Sequence, residues 1–187
     1  LLKRAFLEAS KIEDPFEAQK IQTLVAKGLA GLEPKEALGI LPQLKDPFYR
    51  SEILGVLAEH LSRKDKRKAL DLAEKIPLEP FRIRTAVRIV GQWTLQERGK
   101  INSIYQEAGE ATSLIPDPYS RTLTLIELGQ SWGRLEREKG EAIMEQAWKS
   151  AKEISHPSRK AEVLEELAEA WKKADQARAR ILLEEID

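Results

Sequence analysis

The sequence predicts an all-α protein built from stacked helix pairs, and two recurring patterns carry that prediction. A proline-containing turn signal returns every 32 to 39 residues. Apolar residues follow each signal at the spacing of one helical face, and a row of alanines recurs in a second register. A helix pair with one apolar face buries that face by stacking on its neighbours, so the patterns predict a solenoid of helix-turn-helix units.

Composition sets the outer limits of this prediction. The 187 residues include 31 basic and 31 acidic side chains, so the net charge is zero, and 42% of residues are hydrophobic. That balance argues against a disordered chain and gives no electrostatic reason to expect nucleic-acid binding. No stretch approaches the roughly 18 apolar residues of a membrane span, so we expect no membrane insertion. Residues 1–187 are therefore expected to form a single helical-repeat domain.

Two further features bear on chemistry and location. The chain has no cysteine, which excludes disulfides, thiolate zinc sites and thiol nucleophiles. It begins with Leu1 rather than methionine, as expected of a trimmed, processed or fragmentary chain. The compartment stays unknown: we slightly favour the cytoplasm, and a periplasmic or secreted location is open if a leader was removed.

The turn signals place the start of the first helix in each unit. In three of the five, an aspartate is expected to cap free amides, while proline occupies a position that needs no hydrogen-bond donor. The signals are Asp14-Pro15-Phe16, Asp46-Pro47-Phe48, Glu79-Pro80-Phe81, Asp117-Pro118-Tyr119 and His156-Pro157-Ser158. They divide the chain into an orphan helix, 1–13, and units 14–45, 46–78, 79–116, 117–155 and 156–187.

Each first helix has one predicted packing face. Counted from the cap residue as zero, positions 8, 11, 12 and 15 lie on one side of a helix, and most of them are apolar. A small residue stands at position 12 of every unit, as required where two helices approach closely. These small residues are Ala26, Ala58, Gly91, Gly129 and Ala168.

A second helix is predicted in the latter half of each unit. An alanine stands seven residues before the last apolar residue of every unit: Ala5, Ala37, Ala69, Ala108, Ala147 and Ala179. Breaks between first and second helices are expected at residues 31–34, 62–65, 98–99, 139–140 and 172–175. Units three and four contain about six extra residues each. We assign these to the inter-helix turn or to a longer second helix.

This arrangement resembles the tetratricopeptide repeat (TPR), and the resemblance covers nearly the whole chain. Unit two matches well, through Leu54, Leu57, Ala58, Leu61, Ala69 and Pro80. The resemblance implies a right-handed α-α superhelix of about five helix-turn-helix repeats plus the orphan helix, with the first helices lining a concave groove. HEAT-like repeats are the structural alternative.

One catalytic pattern is present but fails its structural requirement. Residues 129–133 fit G-x-S-x-G, which acts at a strand–turn–helix junction, whereas Gly129 and Trp132 already fit positions of a repeat helix. The two histidines, His60 and His156, show no paired metal-ligand spacing. The sequence therefore predicts no enzymatic activity, no catalytic residue, no metal site and no cofactor.

The predicted groove face uses positions 6, 9 and 13 of the first helices. In unit four these positions place Leu123 and Ile126 where solvent is expected, which often marks a contact surface, and Gln130 extends that face. Arg88 and Gln92 of unit three are expected alongside. These five residues form the predicted partner-binding site, an apolar floor flanked by hydrogen-bond donors and one cation. The alternative is that unit four folds over this face and buries it.

The arginines near the start of unit three have two interpretations. Arg82, Arg84 and Arg88 lie close to a predicted helix start, where cations oppose the helix dipole. We favour ion pairs with acids of a neighbouring unit over a carboxylate clamp or a phosphate contact.

The predicted function is a non-enzymatic scaffold that binds a protein or peptide of unknown identity in the concave groove. The alternative is a structural or self-assembling segment of a longer helical-repeat protein. Solenoid ends need polar caps, so at least one end is expected to be covered, by flanking repeats or by another copy in a homo-oligomer. The apolar residues at the two ends are Leu1, Leu2, Ala5 and Ala9, and Ile181, Leu182, Leu183 and Ile186.

Overall fold

All regular secondary structure is helical in the residues that the computed structural model describes, 2–172 and 175–184. This confirms the all-α prediction. The chain divides into two compact units, residues 1–89 and 90–187, which we call the N unit and the C unit. The division falls inside the third predicted repeat, 79–116.

Eleven α-helices are present within the described residues. The N unit contains α1 (Leu2–Ala9), α2 (Pro15–Leu32), α3 (Pro34–Ile40), α4 (Pro47–Ser62), α5 (Lys66–Ala73) and nearly all of α6 (Glu79–Val90). The C unit contains α7 (Arg98–Ser113), α8 (Pro118–Gly133), α9 (Arg137–Ala151), α10 (Pro157–Trp171) and α11 (Gln176–Glu184). In the predicted repeats, α2, α4, α6, α8 and α10 are first helices and the others are second helices.

The helices pack in the same order in both units. In the N unit α2 contacts α1, α3 and α4, and α4 contacts α5. In the C unit α8 contacts α7, α9 and α10, and α10 contacts α11. Each of α2 and α8 therefore packs against three helices. These are the second helix of its own unit, the second helix that precedes it in the chain, and the first helix of the next unit. Within each unit this is the order expected of stacked helix pairs.

The predicted caps form at three of the five turn signals. Asp14, Asp46 and Asp117 each accept a hydrogen bond from a backbone amide in the first turn of the following helix. Glu79 does not cap α6, because it already belongs to the first turn of that helix. His156 precedes α10 without a side-chain hydrogen bond to it. The aspartate caps thus fix where α2, α4 and α8 begin.

Burial confirms most of both sequence registers. The small residues at position 12 are buried in four units, at Ala26, Ala58, Gly129 and Ala168. The second-helix alanines are buried in five, at Ala37, Ala69, Ala108, Ala147 and Ala179. Gly91 is exposed because α6 has already ended at Val90, and Ala5 on α1 is exposed as well.

Two predicted helix breaks are wrong. Residues 98–99 begin α7, and residues 139–140 lie within α9. The extra residues of units three and four lengthen the second helices, since α7 and α9 have 16 and 15 residues against 7 and 8 in α3 and α5. Of the break at 172–175, residues 173–174 lie outside the described residues, as do Leu1, Ile186 and the side chain of Leu183 among the predicted end residues.

Candidate functional site

Arg88, the predicted cation of the binding site, pairs with an acid of the neighbouring repeat. It lies on α6 in the N unit, and its Nη1 donates a hydrogen bond to Oε1 of Glu59 on α4 at 3.2 Å. The favoured interpretation of the arginine cluster is confirmed for this residue. Arg82 instead pairs with Glu79, one turn earlier on its own helix.

The other four predicted site residues lie in the C unit. Gln92 follows the end of α6 at Val90, so it is not on the helical face that predicted its role. On α8, Leu123 is half-buried and Gln130 is exposed, whereas Ile126 is completely buried. The helical face on α8 therefore offers a partner much less apolar surface than the sequence predicts.

The prediction that Ile126 lines a groove is wrong. It occupies position 9 of α8, a helix that packs against α7, α9 and α10. The same position is buried in the first two repeats, at Thr23 and Gly55. Position 9 is exposed in the other two repeats, at Arg88 and Glu165, so its burial differs from repeat to repeat. The alternative that the sequence left open, burial of this face, holds for Ile126.

Polar side chains on or beside the groove face link successive first helices. Nζ of Lys27 on α2 lies 2.7 Å from Oε1 of Glu52 on α4. In the C unit the hydroxyl of Tyr119 on α8 donates to Oε1 of Glu162 on α10 at 2.9 Å. With the Arg88 ion pair, these contacts join α2 to α4, α4 to α6 and α8 to α10. Much of the polar chemistry of this face thus serves internal contacts.

Three glycines bring α8 and α9 unusually close together. A Cβ atom on Gly140 would lie 2.3 Å from Cα of Gly133 and 2.7 Å from the carbonyl oxygen of Gly129, too close for any side chain. This contact explains why Gly140 lies inside a helix rather than at a break. Gly129 and Gly133 are the glycines of the G-x-S-x-G pattern, and both lie within one continuous helix, not at a strand–turn–helix junction.

Beside these glycines, a cleft of about 500 Å³ opens between α8, α9 and α10. Its lining includes Arg134, Arg137, Glu141, Glu166 and Glu169. Arg137 and Glu141 form an ion pair at 2.7 Å. Gln130 of the predicted site also lines this cleft. Charges of both signs are mixed here, so the C-unit cleft does not select one ligand class by charge.

A larger and more apolar cleft, of about 580 Å³, lies between α3, α4 and α5 of the N unit. Its apolar lining consists of Pro34, Leu38, Leu57, Leu61 and Leu72. Leu38 keeps 43% of its surface exposed. Because α3 and α5 are only 7 and 8 residues long, they leave part of the apolar face of α4 accessible between them. We call this surface the N-unit cleft.

Charged residues surround the N-unit cleft. Lys35, Lys64, Glu33 and Glu36 all contribute to its edge. The carboxylate of Glu36 is neutralised by Nζ of Lys3 at 2.7 Å. With that pair set aside, Lys35 and Lys64 outnumber Glu33 on the rim by one charge, around an apolar centre. An apolar centre with a polar rim is the usual anatomy of a protein–protein contact.

The N-unit cleft is not evident from the repeat pattern. Leu61 occupies packing position 15, while Leu38 and Leu72 fall outside both registers. The available signal is unit length: units one and two are about six residues shorter than units three and four. Shorter units leave less second helix to cover the first helices.

A polar network joins α7, α8 and the residue that precedes α9. Asn102 on α7 accepts a hydrogen bond from Nε1 of Trp132 at 3.1 Å and donates one to Oε1 of Glu136 at 2.5 Å. Hydrogen bonds from Asn102 and Lys139 hold the pKa of Glu136 below its ordinary value. In contrast, burial raises the pKa of Tyr105. At neutral pH the Glu136 carboxylate is thus ionised and accepts from Asn102, while the Tyr105 phenol stays protonated and its ring packs against Trp132.

Neither histidine belongs to a recognisable reactive centre. His60 lines the N-unit cleft, and His156 precedes α10. In the part of the chain that the structure describes, no group of three His, Cys, Asp or Glu side chains is placed to hold a metal ion. No helix among those residues is both long enough and apolar enough to cross a bilayer.

The chain matches no protein-family model, no curated protein and no solved structure.

Proposed function

We propose that the protein is a non-enzymatic scaffold that binds a peptide or protein segment, and that the N-unit cleft is its main binding surface. The observation that carries this proposal is the apolar lining between α3, α4 and α5. A cleft of about 580 Å³ is within the size range of ligand pockets, which combine apolar walls with a few polar groups. Burial of apolar surface supplies affinity, and the charged rim supplies orientation.

The lining indicates the chemistry of the ligand. Leu38, Leu61 and Leu72 favour a segment that inserts one or two large apolar side chains. Lys35 and Lys64 on the rim favour an acidic residue next to these anchors. The ligand is thus a short segment with apolar anchors and a flanking carboxylate, in a helical or extended conformation. No cofactor takes part in this binding.

The proposal includes a TPR-like architecture in which the helix pairs form a right-handed superhelix. Support comes from the shared packing order of α2 and α8 and from the buried alanine register. The concave face of the first helices is then a second contact surface, on which Gln130 is exposed and Leu123 half-buried.

A displayed peptide library, selected on the 187-residue chain, tests the N-unit cleft. Enriched peptides are expected to carry apolar anchors with an acidic neighbour. The variant Leu38→Asp should bind these peptides at least about tenfold more weakly, because it places a carboxylate in the apolar lining. Leu38 is 43% exposed, so the same change should lower the free energy of unfolding by about 1–2 kcal/mol, and circular dichroism should show the variant still folded.

The matched control is Leu95→Asp, which alters an apolar residue of the C unit that is 74% exposed. It should bind the selected peptides as the wild type does. A selection without enrichment, or peptides that bind Leu38→Asp with wild-type affinity, would exclude the N-unit cleft as the binding site.

A further inference from the structure

The N-unit cleft has the shape of a short trough along α4. Leu57 and Leu61 lie one turn apart on that helix, and Lys64 follows two residues after its end. Seven residues of helix rise about 10 Å, so these side chains mark a floor of that length. Helices α3 and α5 add Leu38 and Leu72 to the lining. A floor of about 10 Å is long enough to contact two turns of a further helix.

The lining offers an incoming segment side chains but few backbone partners. Leu57 lies in the middle of α4, where backbone amides and carbonyls bond within the helix. Near the end of α4, the carbonyl of Leu61 accepts two amides of the following turn, each at 2.9 Å. The carbonyl of Leu72 on α5 accepts the amide of Lys75 at 3.1 Å. The backbone of this apolar lining is thus largely engaged in hydrogen bonds of its own.

We infer that the ligand of the N-unit cleft binds as a short amphipathic α-helix, an inference that deepens the proposed function and rests on it. An extended segment would carry its own backbone amides and carbonyls into a lining with few partners for them. Unpaired polar groups are costly to bury. A helix pairs these groups internally and presents only side chains. The bound segment is thus a helix with about two turns in contact.

The charged residues of the cleft lie at one end of the trough. The segment 41–46 joins α3 to α4, and so short a connection makes the two helices antiparallel neighbours. The start of α3 therefore lies beside the end of α4, which brings Lys35 and Lys64 to the same end. Leu38 and Leu57 lie about one and two turns away along their helices. The trough thus has a charged end and an apolar end.

These features specify the sequence of the bound helix. Side chains three or four residues apart share one face of a helix and fit between the side-chain rows of the helix beneath. Two large apolar anchors at this spacing pack against Leu57 and Leu61. An acidic residue stands one or two turns beyond the anchors, at the end where the rim has its excess positive charge. An acid between the anchors would meet the apolar lining instead.

Two displayed peptide libraries, selected on the 187-residue chain, test the helical conformation. Both contain two fixed leucines among randomised positions. One library places the leucines four residues apart, as on one face of a helix, and the other places them two apart, as on one face of an extended strand. Peptides that bind at least about tenfold more weakly to Leu38→Asp, and equally well to Leu95→Asp, should come from the helix-spaced library.

Proline substitution then separates conformation from composition. In a peptide from the helix-spaced library, a proline between the two leucines should weaken binding at least about tenfold, because it breaks the helix. A proline at the first helical residue is the matched control. It should leave the affinity within about twofold, since no intrahelical donor is needed there.

A charge exchange tests where the acid lies. The selected peptides should be enriched in an acidic residue beyond one anchor. Replacing that residue by lysine should weaken binding about threefold, since an exposed ion pair is lost. The chain variant Lys64→Glu should restore the affinity of the lysine peptide. A peptide whose affinity does not respond to the lysine would contradict the placement of the acid.

The helical ligand and the proposed function fail in different ways. Leu38-dependent peptides from the strand-spaced library alone would overturn the helical ligand and leave the proposed function standing. Helix-spaced peptides that tolerate the central proline would have the same consequence. If neither library yields a peptide whose binding depends on Leu38, the proposed function is overturned, and the helical ligand with it.

Discussion

The N unit and the C unit are built from the same kind of helix pair but cover their first helices to different extents. Among the described residues, eight large apolar side chains are exposed in the N unit and three in the C unit. The second helices differ in the same sense, with 7 and 8 residues in α3 and α5 against 16 and 15 in α7 and α9. Among these four helices, a shorter second helix goes together with more exposed apolar surface in its unit. Helix α11, with 9 residues, is a short second helix in the C unit.

The interiors differ as well. The core of the N unit is mainly aliphatic, with Phe6 as its one completely buried aromatic side chain among the described residues. The two aromatic pairs of the N unit both involve the exposed ring of Phe48. In the C unit the pairs include buried rings: those of Tyr105 and Trp132 lie 5.7 Å apart, and those of Trp148 and Trp171 lie 5.8 Å apart. Large rings fill more space per residue and make specific edge contacts, which suits a unit that buries its helices more completely.

The largest expected difference between the units is in the free energy of unfolding after a carboxylate is introduced into each. Ile126→Asp should lower the free energy of unfolding by about 4 kcal/mol, because an ionised group would be buried in the C-unit core. Leu24→Asp, at a position of α2 that is 72% exposed, should change it by no more than about 1 kcal/mol. Urea denaturation of both variants measures the two values. Equal stability would mean that α8 is oriented differently from the structure.

Adding one methyl group should act in opposite directions in the two units. Gly140→Ala should destabilise by roughly 1–3 kcal/mol, because the new Cβ meets backbone atoms of α8 that cannot move aside easily. Gly39 in α3 has nothing within 4 Å of the same atom, so Gly39→Ala should stabilise by about 0.5–1 kcal/mol through a stiffer unfolded chain. Thermal melts of the pair check the signs. A stabilised Gly140→Ala would contradict the close contact of α8 and α9.

The smallest effect concerns the helix starts of the C unit. Asp117→Ala should cost about 1 kcal/mol at pH 7, whereas His156→Ala should cost little, since His156 makes no side-chain cap. Hydrogen bonds from Ser120 lower the pKa of Asp117 in the folded protein. The cap therefore stabilises above the ordinary carboxyl pKa near 4 and is lost as the pH falls through the lower folded value. Denaturation at pH 7 and near pH 2 should show the gap between wild type and Asp117→Ala closing in acid.

Local chemistry makes much of the fold predictable from the sequence. The aspartate caps at Asp14, Asp46 and Asp117 depend on residues within one turn, and all three form. The alanine register depends only on helical periodicity, and its five members from Ala37 to Ala179 are buried. Features determined within one helix pair therefore follow from residue type and spacing alone.

The binding surfaces depend on how helices pack, and there the sequence is less informative. Ile126 occupies the same helical stripe as Leu123, yet only the packing of α8 against its neighbours decides that Ile126 is buried. The low helix propensity of glycine predicts a break at Gly140. In the structure, the missing side chain of Gly140 lets α9 touch α8. The N-unit cleft arises from the shortness of α3 and α5, which a pattern of equivalent positions does not measure.

The aromatic packing of the C unit also gives the molecule a built-in optical label. All four tryptophans, Trp93, Trp132, Trp148 and Trp171, lie in residues 90–187, and residues 1–89 contain none. Indole emission during denaturation therefore reports the unfolding of the C unit. The helical circular dichroism signal, in contrast, is the sum of the contributions from both units. The separation between the two curves is a direct readout of how strongly the N unit resists unfolding, obtained without a dye or a substitution.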